Sequence, residues 1–226
     1  MSAAVPVITV DGPSGSGKGT ISRLLAEKLG WHLLDSGALY RLVALAAQRK
    51  SVALDNVEAL REVASDLQVE FPVVGGESRV HLEGEDVTLA IRAEECGVAA
   101  SRVAALPEVR EALLERQRVF RQAPGLVADG RDMGTVVFPD APVKIFLTAS
   151  IAARADRRWK QLREQGVDAN LDALYRDLAE RDARDAQRSV SPLKAAEDAV
   201  TVDSTAMDIP AVMARILSLI ADRGVV

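Results

Sequence analysis

A glycine-rich turn near the start of the chain constrains its fold more than any other stretch. The turn runs Gly12-Pro13-Ser14-Gly15-Ser16-Gly17-Lys18-Gly19-Thr20. The apolar run before it, residues 5–10, is typical of a buried strand, and the periodic pattern over residues 21–29 predicts a helix. A strand, a glycine-rich turn and a helix in this order are the context of a phosphate-binding P-loop. The glycines let backbone N–H groups close around phosphate oxygens, and the helix N-terminus adds partial positive charge.

The end of this turn narrows the class of P-loop. Lys18 supplies a point charge for the outer phosphates, and Gly19 separates it from the hydroxyl of Thr20. The simplest P-loop pattern has Ser or Thr directly after the Lys. The ending Gly-Lys-Gly-Thr resembles the loop of nucleoside monophosphate kinases more than that of GTPases. An ordinary glycine turn is the alternative, and the Lys at this spacing argues against it.

Composition bounds the classes of protein that fit the chain. Its 226 residues are 48% hydrophobic and 27% charged, which suits one large domain or a domain with an inserted subdomain. The formal net charge of -5 argues against broad nucleic-acid or anionic-membrane binding. Residues 1–6 lack the pattern of a signal peptide, no apolar stretch could span a membrane, and the single cysteine, Cys96, excludes an intrachain disulfide. We therefore expect a cytoplasmic protein, monomeric by default, without nucleic-acid or membrane partners.

Alternating strand-like and helix-like segments predict an α/β fold, a parallel sheet with helices on both faces. The predicted strands after the P-loop cover residues 31–34, 125–128, 143–147 and 199–202. The predicted helices cover residues 38–48, 56–66 with Asp55 as N-cap, 107–121, 151–164 with Ser150 as N-cap, 171–188 and 209–222.

A β-rich patch interrupts this alternation. Residues 67–74 and 79–83 are typical of short strands, and Gly75-Gly76 between them is a hairpin signal. Helical patterns follow at about 89–95 and 99–106. We therefore predict a core formed by residues 1–61 and 106–226, with a small inserted α+β subdomain over residues 62–105.

Two clusters of polar residues that contain arginine follow predicted strands. The first is Asp35-Ser36-Gly37-Ala38-Leu39-Tyr40-Arg41, for which a helix cap at Ser36 and a surface Arg are the simpler interpretation. The second is Asp129-Gly130-Arg131-Asp132-Met133-Gly134-Thr135. It lies at the carboxyl end of a predicted strand, where α/β sheets bind ligands. A plain turn is the alternative for this second cluster.

Two further clusters lie on predicted helices. Four residues share one helix face at 3.6 residues per turn, namely Arg181, Arg184, Asp185 and Arg188. Three lie on the preceding helix, Asp156, Arg157 and Arg158. Such stripes are usually solvated faces with ion pairs. The alternative is a mobile lid over residues 154–188, because arginine-rich helices joined by a loop can exclude water and clamp phosphates.

These motifs together resemble bacterial cytidylate kinases, within the nucleoside monophosphate kinase family and the P-loop NTPase fold. The matching runs cover residues 8–20, 35–41, 129–141, 181–193 and 198–204. They extend over almost the whole chain, and the runs that begin at Asp129 and Arg181 make the resemblance specific. Leu39 and Met133 stand where Met and Ile would also be expected.

The resemblance implies a reaction in which ATP and CMP or dCMP, with Mg²⁺, give ADP and the nucleoside diphosphate. It also implies that the inserted subdomain lies on the nucleotide-acceptor side. The implied ATP site comprises Gly12, Pro13, Ser14, Gly15, Ser16, Gly17, Lys18, Gly19, Thr20 and Arg157. The implied CMP site comprises Ser36, Arg41, Ser101, Arg110, Asp129, Arg131, Asp132, Arg181, Asp185 and Arg188.

The resemblance also implies roles for these residues. Lys18, Arg131 and Arg188 would be the catalytic residues, with Lys18 on the β- and γ-phosphate oxygens. The Thr20 hydroxyl would lie near Mg²⁺. The remaining expected contacts are with CMP: Arg41, Arg131 and Arg188 with its phosphate, assisted by Ser36; Arg181 and Asp185 with its ribose; and Asp132, Arg110 and Ser101 with cytosine.

Three rival functions stay open from the sequence. One is a kinase for another nucleoside monophosphate, UMP or AMP. A second is a P-loop regulatory switch, although the Asn-Lys-x-Asp motif that reads guanine in GTPases is missing. The third is a nucleotide-binding module without activity, which the presence of Lys18, Arg131 and Asp132 argues against.

Overall fold

The computed structural model describes residues 5–71, 73–74 and 77–225. Its strands are β1 (Val7–Asp11), β2 (His32–Asp35), β3 (Val69–Glu70), β4 (Val73–Val74), β5 (Glu77–Ser78), β6 (His81–Leu82), β7 (Glu85–Asp86), β8 (Leu126–Gly130), β9 (Val143–Thr148) and β10 (Val200–Asp203). Its α-helices are α1 (Lys18–Leu29), α2 (Ser36–Arg49), α3 (Val57–Ser65), α4 (Glu94–Val103), α5 (Pro107–Arg118), α6 (Ile151–Glu164), α7 (Leu171–Ala186) and α8 (Ile209–Asp222).

Five parallel strands form the central sheet, in the order β10-β9-β1-β8-β2. Strands β2 and β8 lie on one side of β1, and β9 and β10, which follow them in the chain, lie on the other side. The turn after β1 therefore lies at a topological switch point, where open α/β sheets bind ligands outside the carboxyl ends of their strands. The predicted α/β class with a parallel sheet flanked by helices is confirmed.

The main core lies between this sheet and two helices. Every residue of β1 and β8 is buried. Ile21 and Leu25 of α1 are four residues apart, and Val212 and Ile216 of α8 have the same spacing, so each pair lies on one helix face. All four side chains pack in the same cluster as the buried residues of the sheet. This packing holds the N-terminus of α1 at the carboxyl end of β1.

Several element boundaries differ from the predicted ones. The N-cap of α3 is Asn56 rather than Asp55, because the Asn56 side chain accepts a hydrogen bond from the Ala59 N–H. The helix that begins at Pro107 ends at Arg118, three residues earlier than predicted. Asp129 and Gly130 are the last residues of β8 and not part of the turn. Of the pattern at 89–95, Ala90–Arg92 forms a short 3₁₀ turn and Glu94 and Glu95 begin α4. Helix α4 therefore starts five residues before the predicted 99–106 and ends three residues before its predicted end.

The chain forms two compact units. The first unit contains the five-stranded sheet and consists of the chain up to Asp35 and again from Arg118 onward. The second unit spans Ser36–Gln117. The second unit contains α2 to α4, most of α5 and short antiparallel strands, in which β6 pairs with both β3 and β7. The predicted insert, residues 62–105, falls within this unit, and its assignment to the acceptor side stays a prediction. The hairpin turn predicted at Gly75-Gly76 lies outside the described residues.

A membrane-spanning helix is not found in the part of the chain that the structure describes, since no helix there is both long and apolar enough.

Candidate active site

The turn between β1 and α1 brings its backbone against a neighbouring strand. Gly12 has φ +154°, and a Cβ added there would lie 2.0 Å from the backbone oxygen of Leu147 in β9. Gly17, the N-cap of α1, has φ +91° in the left-handed region that favours glycine. In the described structure no side chain caps this helix and its first turn has no acidic residue. The N–H groups at the N-terminus of α1 are therefore available to an anion.

Lys18 is the first residue of α1 and is half-buried. Its Nζ donates to the Pro13 carbonyl at 3.3 Å, so the ammonium group lies over the P-loop. Burial, together with the positive charge of Arg131, lowers the pKa of Lys18 to about 8, and Asp129 and Asp35 oppose this shift. The ammonium group stays mostly protonated at neutral pH.

Asp129 provides a buried carboxyl group beside the N-terminus of α1. The residue is 6% exposed, and a Cβ added at Gly19 would lie 3.3 Å from its Oδ2. Its Oδ1 has no hydrogen-bond partner among the described residues. Burial raises the pKa of Asp129 to about 7, although Lys18 stabilises its charged form. The resemblance implies that Asp129 belongs to the CMP site. In the structure its carboxyl group faces the N-terminus of α1, the P-loop helix.

Arg131 and Arg188 meet at one buried carboxylate. Asp185 is 1% exposed and accepts hydrogen bonds from Arg131 Nε at 3.0 Å and from Arg188 Nη2. Burial disfavours the charged form of Asp185, but the two guanidinium groups outweigh it and hold its pKa below the ordinary value. The alternative of a solvated helix face is therefore wrong for Asp185.

The structure corrects the placement of Arg188. Helix α7 ends at Ala186, so Arg188 lies beyond the helix and does not share its face as predicted. It joins the cluster because the chain after α7 turns back, with the Leu193 N–H donating to the Asp185 carbonyl at 2.8 Å. Arg181 lies one turn before Asp185 on α7 and is half-buried.

Asp132 precedes a π-helical turn, Met133–Val137, that the sequence did not predict. The residue is 2% exposed, and its carbonyl accepts from the N–H groups of Val136 and Val137. Asp11, at the end of β1, fixes the start of this turn, because its two carboxyl oxygens accept from the N–H groups of Met133 and Gly134 at 2.8 Å each. Burial raises the pKa of Asp11 to about 7, against the opposing effect of these two hydrogen bonds.

Two arginines of α6 contact the P-loop backbone. Arg157, predicted on the ATP side, donates to the Ser16 carbonyl at 3.5 Å and also to the backbone oxygen of Ser204. Arg154, which the sequence did not single out, donates to the Ser14 carbonyl at 2.9 Å. Its only local signal is its position four residues after Ser150, whose side chain caps α6 as predicted.

In the second unit, two predicted CMP residues have specific partners. Ser36 is the first residue of α2, and its hydroxyl donates to Gln117 Oε1 at 2.8 Å. Arg41 Nη1 donates to the Ile91 carbonyl at 2.7 Å. A Cβ added at Gly97 would lie 2.9 Å from Arg41 Nη2, so the guanidinium group lies against the backbone of α4. Arg41 is half-buried, and its guanidinium group is hydrogen-bonded rather than extended into solvent.

The other two predicted CMP residues of this unit are buried polar groups. Ser101 is 4% exposed, and its hydroxyl has no hydrogen-bond partner among the described residues. Arg110 is 7% exposed, and its guanidinium carbon lies 5.3 Å from the centre of the Tyr40 ring. Arg110 Nη1 also donates to the Ala104 carbonyl at 3.0 Å. A buried hydroxyl without a partner is costly, which favours a ligand as its partner.

No group of three or more His, Cys, Asp or Glu residues within the described ranges could hold a metal ion. A dedicated cage is not needed for Mg²⁺, which often takes one or two protein oxygens and completes its shell with phosphates and waters. The exposed hydroxyl of Thr20, in the first turn of α1, and the unpaired oxygen of Asp129 are hard oxygen donors of this kind. These residues fit a magnesium ion bound together with phosphates.

Comparison with known proteins gives a consistent result. Residues 8–222 match the family model described as "Cytidylate kinase". The chain is 62% identical over 221 residues to a cytidylate kinase of Stutzerimonas stutzeri, with 97% of this chain and 96% of the relative covered. It is 61% identical over 218 residues to one of Aeromonas salmonicida, with 96% and 95% covered. A cytidylate kinase of Pseudomonas aeruginosa is 59% identical over 219 residues, with 96% of both chains covered.

Proposed function

The chain belongs to the cytidylate kinase family, and we propose that it transfers the γ-phosphoryl group of ATP to CMP or dCMP, giving ADP and CDP or dCDP. One observation supports this most directly: a single compact unit contains both the P-loop with Lys18 and the buried Arg131–Asp185–Arg188 cluster. A kinase with two anionic substrates needs cations for the phosphates of each. The two sets of cations meet that need.

On the donor side, we propose that the P-loop backbone surrounds the ATP phosphates. The uncapped N-terminus of α1 supplies N–H donors, and Lys18 supplies the charge for the β- and γ-oxygens. Arg157, held at the Ser16 carbonyl, lies close enough to this loop to contact the same nucleotide. Thr20 and Asp129 would hold Mg²⁺ bound together with ATP, and the ion would neutralise part of the phosphate charge.

On the acceptor side, we propose that Arg131 and Arg188 bind the phosphate of CMP, as does Arg41 of the second unit, assisted by Ser36. Asp185 orients both guanidinium groups before the substrate arrives. Within the described residues the hydrogen bonds of Arg131 use Nε and Nη1, which leaves Nη2 for a phosphate oxygen. Arg181 and Asp185 are the proposed contacts of the ribose. Asp132 would accept from the exocyclic amine of cytosine, and the hydroxyl of Ser101 and the guanidinium of Arg110 would donate to its ring acceptors.

The transfer requires no catalytic base. An oxygen of the CMP phosphate, already anionic at neutral pH, forms a bond to the γ-phosphorus while the bond between that phosphorus and the β–γ bridging oxygen breaks. The electron pair of the broken bond stays on ADP. Catalysis then consists of bringing two anions together and stabilising charge on the transferring group, which Lys18, Arg131 and Arg188 would do.

Steady-state turnover with ATP and Mg²⁺ against CMP, dCMP, UMP and AMP tests this function. We expect ADP release to depend on the acceptor, with kcat/KM highest for CMP or dCMP. A preference for UMP or AMP would instead indicate a kinase for another nucleotide. Tight nucleotide binding with slow hydrolysis and no acceptor dependence would indicate a regulatory switch.

Replacement of the proposed cytosine reader should change substrate preference. Asp132→Ala removes an acceptor from the cytosine amine, whereas uracil presents a carbonyl there and loses nothing. We expect the ratio of kcat/KM for CMP over UMP to fall by about 5- to 150-fold, the equivalent of about 1–3 kcal/mol. Circular dichroism would establish that the variant is folded, and an unchanged ratio in a folded variant would remove Asp132 from base recognition.

The lowered pKa of Lys18 predicts a pH dependence for ATP. The free enzyme loses the positive charge of Lys18 as pH rises through about 8. Because kcat/KM for ATP reports ionisations of the free enzyme, we expect it to decline above that pH, approaching a tenfold loss per pH unit. Lys18→Arg should be slower but lack this decline, since a guanidinium stays protonated. A flat wild-type profile to pH 9.5 would contradict the assignment.

A further inference from the structure

Arg154 is a buried cation that none of the proposed substrate contacts uses. It lies on α6, is 3% exposed, and its guanidinium group makes four hydrogen bonds within the protein. Nε donates to the Ala149 carbonyl at 2.9 Å, and Nη1 donates to the Ser14 carbonyl at 2.9 Å. Nη1 and Nη2 also form a fork on the carboxylate of Asp182, at 3.1 and 2.5 Å.

These bonds join two elements that have different proposed roles. Ser14 belongs to the P-loop, and Asp182 belongs to α7, between Arg181 and Asp185. The loop also packs directly on the stem of Arg154, since a Cβ added at Gly15 would lie 3.2 Å from the Arg154 Cβ. A forked arginine–carboxylate pair has a narrow geometry, so one guanidinium group sets the distance of α7 from the P-loop.

The acceptor cluster lies next to Asp182 on the surface of α7, because residues three positions apart are neighbours on a helix. Asp185, three residues after Asp182, binds Arg131 and Arg188. A shift of the Ser14 carbonyl when phosphates fill the loop would therefore act on Arg154, then on Asp182, and so on the helix that holds Asp185. Every bond in this series lies within one compact unit.

We infer that Arg154 is a positioning residue through which ATP binding at the P-loop strengthens CMP binding at the Asp185 cluster. The inference rests on the proposed function. By this inference, the Arg154–Asp182 pair couples the binding of the two substrates, in addition to its contribution to stability. A pair with only a structural role would change stability and leave the two affinities independent of each other.

The test measures the dissociation constant of CMP by calorimetry, with and without a saturating non-hydrolysable ATP analogue and Mg²⁺. In the wild type we expect the analogue to strengthen CMP binding by a factor of about 5 to 150, the usual range of such couplings. In Arg154→Lys and Asp182→Asn we expect this factor to approach one. Asp177→Asn, on an exposed position of the same helix, is the matched control and should keep the wild-type factor.

The outcomes separate the inference from the function. CMP binding with the wild-type coupling factor in both folded variants would overturn the inference alone, as would a wild type without coupling. A wild type that binds no CMP would overturn the proposed function, and the inference with it. Thermal unfolding checks that each variant is folded. Should Asp182→Asn fail to fold, Asp182→Glu takes its place, because it keeps the charge but lengthens the side chain by one methylene.

Discussion

Lys18→Ala should reduce kcat by about 100- to 1,000-fold while the fold stays intact, the size of loss seen when one preorganised donor to a transition-state charge is removed. Among the described residues, the half-buried ammonium group makes one hydrogen bond, to the Pro13 carbonyl, so the native structure depends little on it. Its proposed charge partner, in contrast, is the phosphoryl group in transfer, so its loss should act mainly on catalysis.

The measurement is kcat at saturating ATP and CMP, with thermal unfolding in parallel. Lys28→Ala is the matched control, because Lys28 lies exposed in the last turn of the same helix. We expect this control to keep wild-type kcat. Full activity of Lys18→Ala would overturn the assignment of the turn as the ATP-binding loop.

Gly12→Ala should destabilise the protein and abolish nucleotide binding together. The added methyl group would lie 2.0 Å from the Leu147 oxygen, and that atom belongs to the backbone of a central strand. Overpacking and the positive φ together should lower the free energy of unfolding by about 2–5 kcal/mol. Relief of the collision would require the P-loop backbone to move away from β9, and with it the N–H groups that face phosphate.

Gly30→Ala separates the effect of the steric clash from the effect of the positive φ angle. Gly30 ends α1 with φ +66°, and a Cβ there would meet nothing within 4 Å. Its substitution should therefore lower the free energy of unfolding by about 1–2 kcal/mol and leave kcat unchanged. Urea unfolding and ATP-analogue binding compare the two variants. Equal losses of stability with intact binding would show that the contact with Leu147 has no role.

Local pattern was sufficient to predict most elements of the sheet-bearing unit. Apolar runs placed β9 within one residue, and the apolar spacing of α8 gave both its ends. The end of α7 was wrong because the charged pattern continues to Arg188, whereas the chain turns back through the bond between Leu193 and Asp185. That bond joins residues that no local period relates.

The site was predicted in its residue types but not in its supporting contacts. Lys18, Arg131 and Asp185 could be found because each lies in a recognisable motif. The bonds of Asp11 to Met133 and Gly134 join residues more than a hundred positions apart and leave no local pattern. Arg154 was missed for a related reason. In the sequence, an arginine on an amphipathic helix gives the same pattern whether its side chain is solvated or paired with a carboxylate.

The carboxylate of Asp185 has a consequence for the enzyme between turnovers. With Arg131 and Arg188 both on one carboxylate, the empty site carries its own counter-ion. Two guanidinium groups held close without an anion would repel each other and move apart whenever product leaves. Asp185 lets them remain in position, so the proposed phosphate site would be ready for the next nucleotide without recruiting an anion from solution.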